Sequence, residues 1–325
     1  MKVVYLSGGV GGARLAHGLS RALGPESLTL AVNTGDDLWH WGVRICPDLD
    51  TVMYTLADLA AVERGWGLAE ETFSALSFVE KYGGETWFQL GDRDLAAHLM
   101  RSEWLRSGVR LTEVTARLCR GLGVAHAIVP MTDEPCETMI DTAKGTLSFQ
   151  RWLVQERAQL DATRVWFRRE HGDHGDHGDH GDQGGTETAA SPALLAALEA
   201  AQLVVIGPSN PYVSIDPILQ CMGVRERVAR LPVIAVSPIV HGRAVKGPLA
   251  RMLETLSQAE ATPAAIAAHY GDLLAGFVGE EGDELPSAQL PCHAAKTVMT
   301  TRDDSLRLAR EVLAFAEQVL ATRTR

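Results

Sequence analysis

The sequence predicts an α/β protein: a Rossmann-like, mostly parallel, doubly wound sheet with a helical insertion between its second and third strands. Three observations predict it. Short runs rich in valine and isoleucine recur without polar alternation, as strands buried on both faces do. The stretches between them read as helices, the alternation expected of βαβ units. Small and polar residues follow each run, where open α/β sheets carry their ligands.

The apolar runs occupy residues 3–6, 28–32, 124–129, 203–206 and 233–236. Between the second and third, residues 51–121 read as mostly helical and form the expected insertion or cap, the core being 1–50 and 122–325. Within it, Asp92-Arg93-Asp94-Leu95 offers a capped start for a helix to about Arg106, with Gly108 beyond its end. Residues 146–150 read as an added strand and 304–321 as a C-terminal helix. A His-Gly-Asp triplet repeats four times over 171–182 and contains no apolar side chain, so 171–190 is expected to be a mobile low-complexity loop without a catalytic role.

Composition narrows the function classes. Of 325 residues, 46% are apolar, enough for a sizeable core. Lys plus Arg number 30 against 41 Asp plus Glu, a net charge of −11, which argues against nucleic acid as a partner. Cys46, Cys119, Cys136, Cys221 and Cys292 show no metal-ligand spacing and no even framework, which points to a reducing compartment. The first apolar run is too short for a signal peptide, and no stretch reaches the ~18 apolar residues of a membrane helix. The expectation is a cytoplasmic protein with small-molecule substrates and no membrane partner.

The chemistry-bearing residues follow the runs. Ser7-Gly8-Gly9-Val10-Gly11-Gly12 leads into a helix, and bare backbone N–H groups at a helix N-terminus suit phosphate. It is neither the dinucleotide fingerprint, because Arg14 stands where the third glycine belongs, nor a P-loop, because no Gly-Lys-Ser/Thr follows. A tight turn without a ligand is the plain alternative. Three acidic groups stand out: Asp36-Asp37, Asp48 with Asp50, and Asp92 with Asp94. Paired carboxylates hold Mg²⁺ beside phosphates; a turn and a helix N-cap are the plain alternatives for Asp37 and Asp92. In Gly207-Pro208-Ser209-Asn210-Pro211 two prolines stiffen a polar pair. His241, Arg243 and Lys246 flank glycines in a second phosphate-compatible loop, and Trp39, Trp41, Trp66 and Trp87 crowd the helical half, available for stacking or for core packing.

The ordered set Gly8-Gly9-Val10-Gly11-Gly12-Ala13-Arg14-Leu15, Asn33-Thr34-Gly35-Asp36-Asp37, Cys46-Pro47-Asp48-Leu49-Asp50-Thr51, Leu90-Gly91-Asp92-Arg93-Asp94-Leu95, Pro208-Ser209-Asn210-Pro211 and Ser237-Pro238-Ile239 resembles the 2-phospho-L-lactate transferase family of coenzyme F420 biosynthesis. The resemblance spans roughly residues 1–248. It implies Mg²⁺ dependence, the deazaflavin Fo as acceptor and a guanosine diphosphate ester as donor, with GMP leaving. It also implies roles: Gly8, Gly9, Gly11, Gly12, Arg14, Ser209 and Asn210 for the guanosine nucleotide; Asp50 as catalytic residue; Asp50, Trp87, Gln89 and Arg93 for the deazaflavin; Asp37, Asp50 and Asp92 for Mg²⁺. A homodimer is expected, since such folds commonly pair. Two rivals share parts of the pattern: a nucleotide-sugar-binding regulator with the same glycine loop, and an NAD-dependent oxidoreductase.

Overall fold

A computed structural model describes residues 1–169, 188–245, 247–286 and 289–323. The chain opens with strand β1 (Val3–Ser7), helix α1 (Gly9–Ala22), β2 (Leu28–Val32) and a hairpin of β3 (Leu38–His40) and β4 (Val43–Ile45). Helices α2 (Pro47–Leu56), α3 (Ser74–Lys81), α4 (Asp92–Arg106) and α5 (Leu111–Gly121) then lead to β5 (Ala127–Pro130). A three-stranded antiparallel sheet follows from β6 (Cys136–Thr142), β7 (Gly145–Ser148) and β8 (Arg164–Arg169). After α6 (Pro192–Ala200) come β9 (Leu203–Ile206), α7 (Asp216–Gln220), α8 (Val224–Val228) and β10 (Val233–Val236). The small hairpin of β11 (Ile239–Val240) and β12 (Arg243–Ala244), α9 (Leu249–Ser257), α10 (Pro263–Tyr270), β13 (Gly276–Glu280), β14 (Cys292–Ala295) and α11 (Arg302–Arg323) complete it.

Seven strands form one wholly parallel sheet in the order β14-β13-β10-β9-β1-β2-β5. The winding reverses between β1 and β9, which places the crevice of a doubly wound sheet at their carboxyl ends. The lack of alternation in the strands has a simple cause. Val4, Leu6, Val204 and Ile206 pack into one core on one face, and Val3, Tyr5, Leu203 and Val205 into another on the opposite face. Successive strand residues point to opposite faces, so a strand covered on both sides must be apolar throughout. Helix α1 lies between α2 and α11 on the second face.

The structure adds to the sequence expectations and shifts some of them. The third strand begins at Ala127 rather than 124, because Val124 closes the end of α5 by donating to the Cys119 carbonyl at 2.9 Å, after Gly123 at φ +73°. Strands β13 and β14 extend the sheet without a valine–isoleucine run to announce them. Residues 146–150 do not add to the main sheet: β7 pairs with β6 in the antiparallel sheet, and Phe149 already begins the next helical turn. Helix α4 spans Asp92–Arg106 as expected, with Gly108 at φ +82° past its end. The His-Gly-Asp repeats lie outside the described residues, while Ala189 at the far end of that expected loop bridges to Met222. All five cysteines are unpaired. No helix among the described residues is long and apolar enough to cross a membrane.

Candidate active site

The loops after β1 and β9 are stitched together. The Gly8 N–H donates to Ser209 Oγ at 3.2 Å, and the Ser209 hydroxyl donates back to the Gly8 carbonyl at 2.7 Å. Gly9 sits at φ +65°, a conformation that disfavours a side chain. A Cβ on Gly12 would stand 2.6 Å from Ser209 Oγ, so the loop closes only because that atom is missing. Asn210 caps the turn that follows, accepting from the Tyr212 N–H at 3.0 Å. Arg14 does not turn back to the loop: its Nη1 donates to the Met299 carbonyl at 2.6 Å.

Pro47 opens α2, and Asp48 and Asp50 occupy its first turn, where carboxylates complement the helix dipole. Asp48 accepts from the Gly9 N–H at 2.7 Å and from Asn33 Nδ2 at 3.0 Å. Asn33 also donates to the Val213 carbonyl at 3.2 Å and accepts from the Gly35 N–H at 2.8 Å, which ties the ends of β1, β2 and β9 together. Burial pushes the Asp48 carboxyl up to about 6, against the pull of these donors. It drives Asp36 well above the usual carboxylate range, with the nearby Asp48 charge acting in the same direction.

Asp37 is 1% exposed, and no hydrogen bond of sound geometry from a described residue reaches its oxygens. Arg44 Nη2 stands 3.7 Å away. Burial pushes its carboxyl up to about 7; the Arg44 charge and the nearby Cys46 thiol oppose this, and the Asp50 charge adds to it. A buried carboxylate without donors is costly unless something else supplies charge or hydrogen bonds.

Asp50 is treated differently. Arg101, 1% exposed, grips it with both ends of its guanidinium: Nη1 donates to Oδ2 at 3.1 Å and Nη2 to Oδ1. Nη1 also donates to the Arg44 carbonyl at 3.3 Å and lies 3.1 Å from His98 Nδ1. His98 Nε2 faces Asp94 Oδ1 at 3.3 Å, and the Tyr54 hydroxyl donates to the same oxygen at 2.6 Å. Asp50, Asp94 and His98 each bring a ligand-type atom within 4.8 Å of the others. The hairpin is fastened to α4 by the Arg44 N–H donating to Ser102 Oγ at 2.7 Å, and by Leu95 packing against the cluster of Val43, Ile45 and Leu90.

Asp92 is not in this group. Its oxygens accept from Thr72 Oγ1 at 2.6 Å, the Ser74 N–H at 2.9 Å and the Ala75 N–H at 2.8 Å, so it caps α3 from the start of α4. These donors hold its carboxyl below the usual range. Two residues along a helix is about 200° of rotation, so Asp94 points where Asp92 cannot. Half-buried Trp87 meets His40 and Phe88 edge-on, with ring centroids 5.3 and 5.6 Å away, and the Arg151 guanidinium lies 5.9 Å from its ring. Gln89 is exposed, and Arg93 is exposed with Nη1 donating to the Ala69 carbonyl at 3.0 Å. His241 is paired with Asp283 at 3.0 Å, and Lys246 lies outside the described residues.

Arg44, His98 and Arg101 were not among the expected site residues, and Asp94 stood out only as the neighbour of Asp92 in an acidic cluster. A signal existed: residues 94, 98, 101 and 102 follow the spacing of a buried helical stripe, but polar side chains occupy it.

A parallel doubly wound sheet whose switch-point loops carry glycine-rich backbone and buried carboxylates defines a Rossmann-like α/β protein. The family model described as 2-phospho-L-lactate transferase CofD matches residues 3–311. The chain is 39% identical over 334 residues to a phosphoenolpyruvate transferase of Kitasatospora aureofaciens, covering 98% of this chain and 99% of that one. It is 36% identical over 312 residues to a 2-phospho-L-lactate transferase of Methanospirillum hungatei, covering 96% and 99%. The fold matches a crystal structure of a UPF0052-family protein from Bacillus halodurans with a TM-score of 0.61 at 14% identity, over 96% of this chain and 98% of that one. The chain belongs to the 2-phospho-L-lactate transferase CofD family and is a transferase.

Proposed function

We propose that this transferase moves a phospho-acid group from a guanosine diphosphate ester to the terminal ribityl hydroxyl of the deazaflavin Fo, in coenzyme F420 biosynthesis. The transferred group is 2-phospholactyl or its enolpyruvyl or glyceryl analogue. The hydroxyl oxygen bonds to the phosphorus bearing the acid, the bond from that phosphorus to the GMP oxygen breaks, and the hydroxyl proton is released. Such a transfer needs alignment and charge neutralisation more than covalent protein chemistry. The observation that supports this reading is that the first turn of α2, whose Asp48 accepts from the Gly9 N–H of the glycine loop, also carries the oriented carboxylate of Asp50, whose charge acts on the buried carboxyl of Asp37.

The glycine loop, held by Ser209, takes the guanosine diphosphate part through the backbone beyond Gly9, since the Gly8 and Gly9 N–H groups donate to Ser209 and Asp48, and Asp50 orients or deprotonates the ribityl hydroxyl. The half-buried Trp87 ring, held edge-on by His40 and Phe88, offers the deazaflavin an aromatic face. Mg²⁺ fits Asp37, whose buried oxygens lack donors of sound geometry, and hard oxygen ligands suit that ion. Asp50 keeps lone pairs beyond those Arg101 uses and completes the pair, whereas Asp92 is spent on α3. When bound, Mg²⁺ supplies charge neutralisation at the diphosphate.

Relatives are named for the phosphoenolpyruvate or for the 2-phospho-L-lactate reaction, so both donors are candidates here, and a pocket that does not hydrogen-bond an extra hydroxyl discriminates only ~10²-fold between such donors. The test incubates the protein with Fo, Mg²⁺ and the lactyl, enolpyruvyl and glyceryl guanosine diphosphate esters in parallel, with mass spectrometry of the products. Deazaflavin adducts and GMP from more than one donor are expected, all lost with EDTA. No adduct from any donor would overturn the reading, and full activity under stringent chelation would remove the metal from it.

A further inference from the structure

We propose that Arg101 is the positioning residue for Asp50 and that His98 and Asp94 hold it in place. The proposal rests on the reading of Asp50 given above. Asp50 is on α2 of the core, and the other three are on α4 of the insertion, so the contact joins the two parts of the chain. A two-pronged guanidinium–carboxylate pair fixes the plane of the carboxylate as well as its distance. The lone pairs left over then point in set directions, which aligning a hydroxyl with a phosphorus requires.

A second layer backs this pair. A guanidinium only donates, so His98 Nδ1 accepts from Arg101, while Nε2 stands 3.3 Å from Asp94 Oδ1, an ion-pair distance without hydrogen-bond geometry. Asp94 is itself fixed by Tyr54, which stands one helical turn from Asp50 on α2. The chain of contacts thus leaves α2 at Asp50 and returns to it at Tyr54. Asp37 provides the contrast: it is as buried as Asp50, yet no such fork holds it.

A residue that acts through another loses its effect when that other is removed. Arg101→Lys keeps the charge and discards the fork, and is expected to lower kcat by roughly 10- to 100-fold with the KM of the guanosine ester changed less than about 3-fold. In an Asp50→Asn background the same substitution should change kcat by less than about 2-fold. Wild-type kcat in Arg101→Lys, or an equal loss in both backgrounds, overturns the proposal. His98→Gln, which leaves the ion pair in place, gives a second reading: a kcat loss of about 3- to 10-fold is expected, and an unchanged kcat overturns the support by His98. Near-normal turnover in Asp50→Asn alone would instead sink the reading of Asp50 itself, so the two failures are distinguishable.

Discussion

Helices α1 and α4 both serve the carboxyl edge of the sheet, and they are built in opposite ways. Helix α1 buries Ala13, Leu15, Ala16 and Leu19 and offers its N-terminal backbone to the site. Helix α4 buries Asp94, His98, Arg101 and Ser102, while Leu99 and Met100 face outward at 52% and 44% exposure. The first is held by the hydrophobic effect, which is indifferent to side-chain direction, and its chemistry resides in the main chain. The second is held by charge pairs as well as by Leu95, Ala97 and Leu105, and the chemistry proposed for it resides in side chains whose directions matter. Breaking a buried charge pair by removing one partner costs about 3–5 kcal/mol, comparable to truncating a buried leucine at ~2–5 kcal/mol. Only the first of these losses also disturbs the group proposed to touch the acceptor.

That difference predicts separable defects. Asp50→Asn keeps the shape of the side chain and removes its charge. Transfer to Fo should drop by about 10²-fold or more, the upper range of general-base effects. Guanosine nucleotide binding, followed by calorimetry, should survive, because the glycine loop supplies it. Loss of nucleotide binding in this variant would show that the two sides do not act independently.

Gly12→Ala attacks the other side. The new Cβ would press on Ser209 Oγ and push apart the loops after β1 and β9. Overpacking of this kind costs about 1–3 kcal/mol. The KM of the guanosine ester should rise by roughly tenfold while that of Fo stays within about 2-fold, the sort of loss a small misplacement produces. Steady-state kinetics with each substrate varied in turn would decide it, and a rise confined to Fo would reverse the assignment of the two sides.

The two helices also differ in how much of them could be read in advance. The uninterrupted apolar runs betrayed a sheet covered on both faces, and the glycine loop declared itself by composition. The inward face of α4 was hidden because pattern reading sends charged residues to the surface. Read that way, Leu99 and Met100 belong inside and Arg101 outside, the reverse of the structure. Choosing Asp92 over Asp94 has the same root: composition gives two acids at a helix start, and only the docked helix shows which of them turns toward Asp50. Strand β13 escaped notice because its β-forming Phe277-Val278 pair is only two residues long between glycines, and β14 because Cys-His-Ala-Ala carries little β signal.

A gentler effect comes from pH. Asp37 is raised to about 7 by burial, with Asp48 raised to about 6. An unfolded Asp titrates near ~3.9. Between those values the folded protein keeps a proton that the unfolded chain has released. Their contribution to stability is therefore full below about pH 4 and is lost as pH rises through about 7. With divalent metal chelated, the melting temperature should fall from pH 5 to pH 8. Asp37→Asn should flatten that fall and melt higher than the parent at pH 8, while losing the Mg²⁺-dependent reaction. A wild-type slope in Asp37→Asn would mean that Asp37 does not hold the proton.

The smallest effect belongs to the outward face of α4. Leu99 and Met100 are exposed, and their spacing sets them apart from the inward residues 98 and 101 by one position on the helix. Surface substitutions away from special features change stability by about ±0.5 kcal/mol. Leu99→Glu combined with Met100→Lys, two helix-compatible residues of opposite charge, should therefore shift the melting temperature by no more than a degree or two and leave kcat for Fo unchanged. The double variant sets the baseline against which Arg101→Lys is judged: same helix, neighbouring positions, opposite direction. A substantial loss of stability, with a change in elution volume on size-exclusion chromatography, would show that this apolar face is covered in solution by a second copy of the chain. The contrast between the faces of α4 would then be one between a catalytic support and a subunit contact, and no longer one between inside and outside.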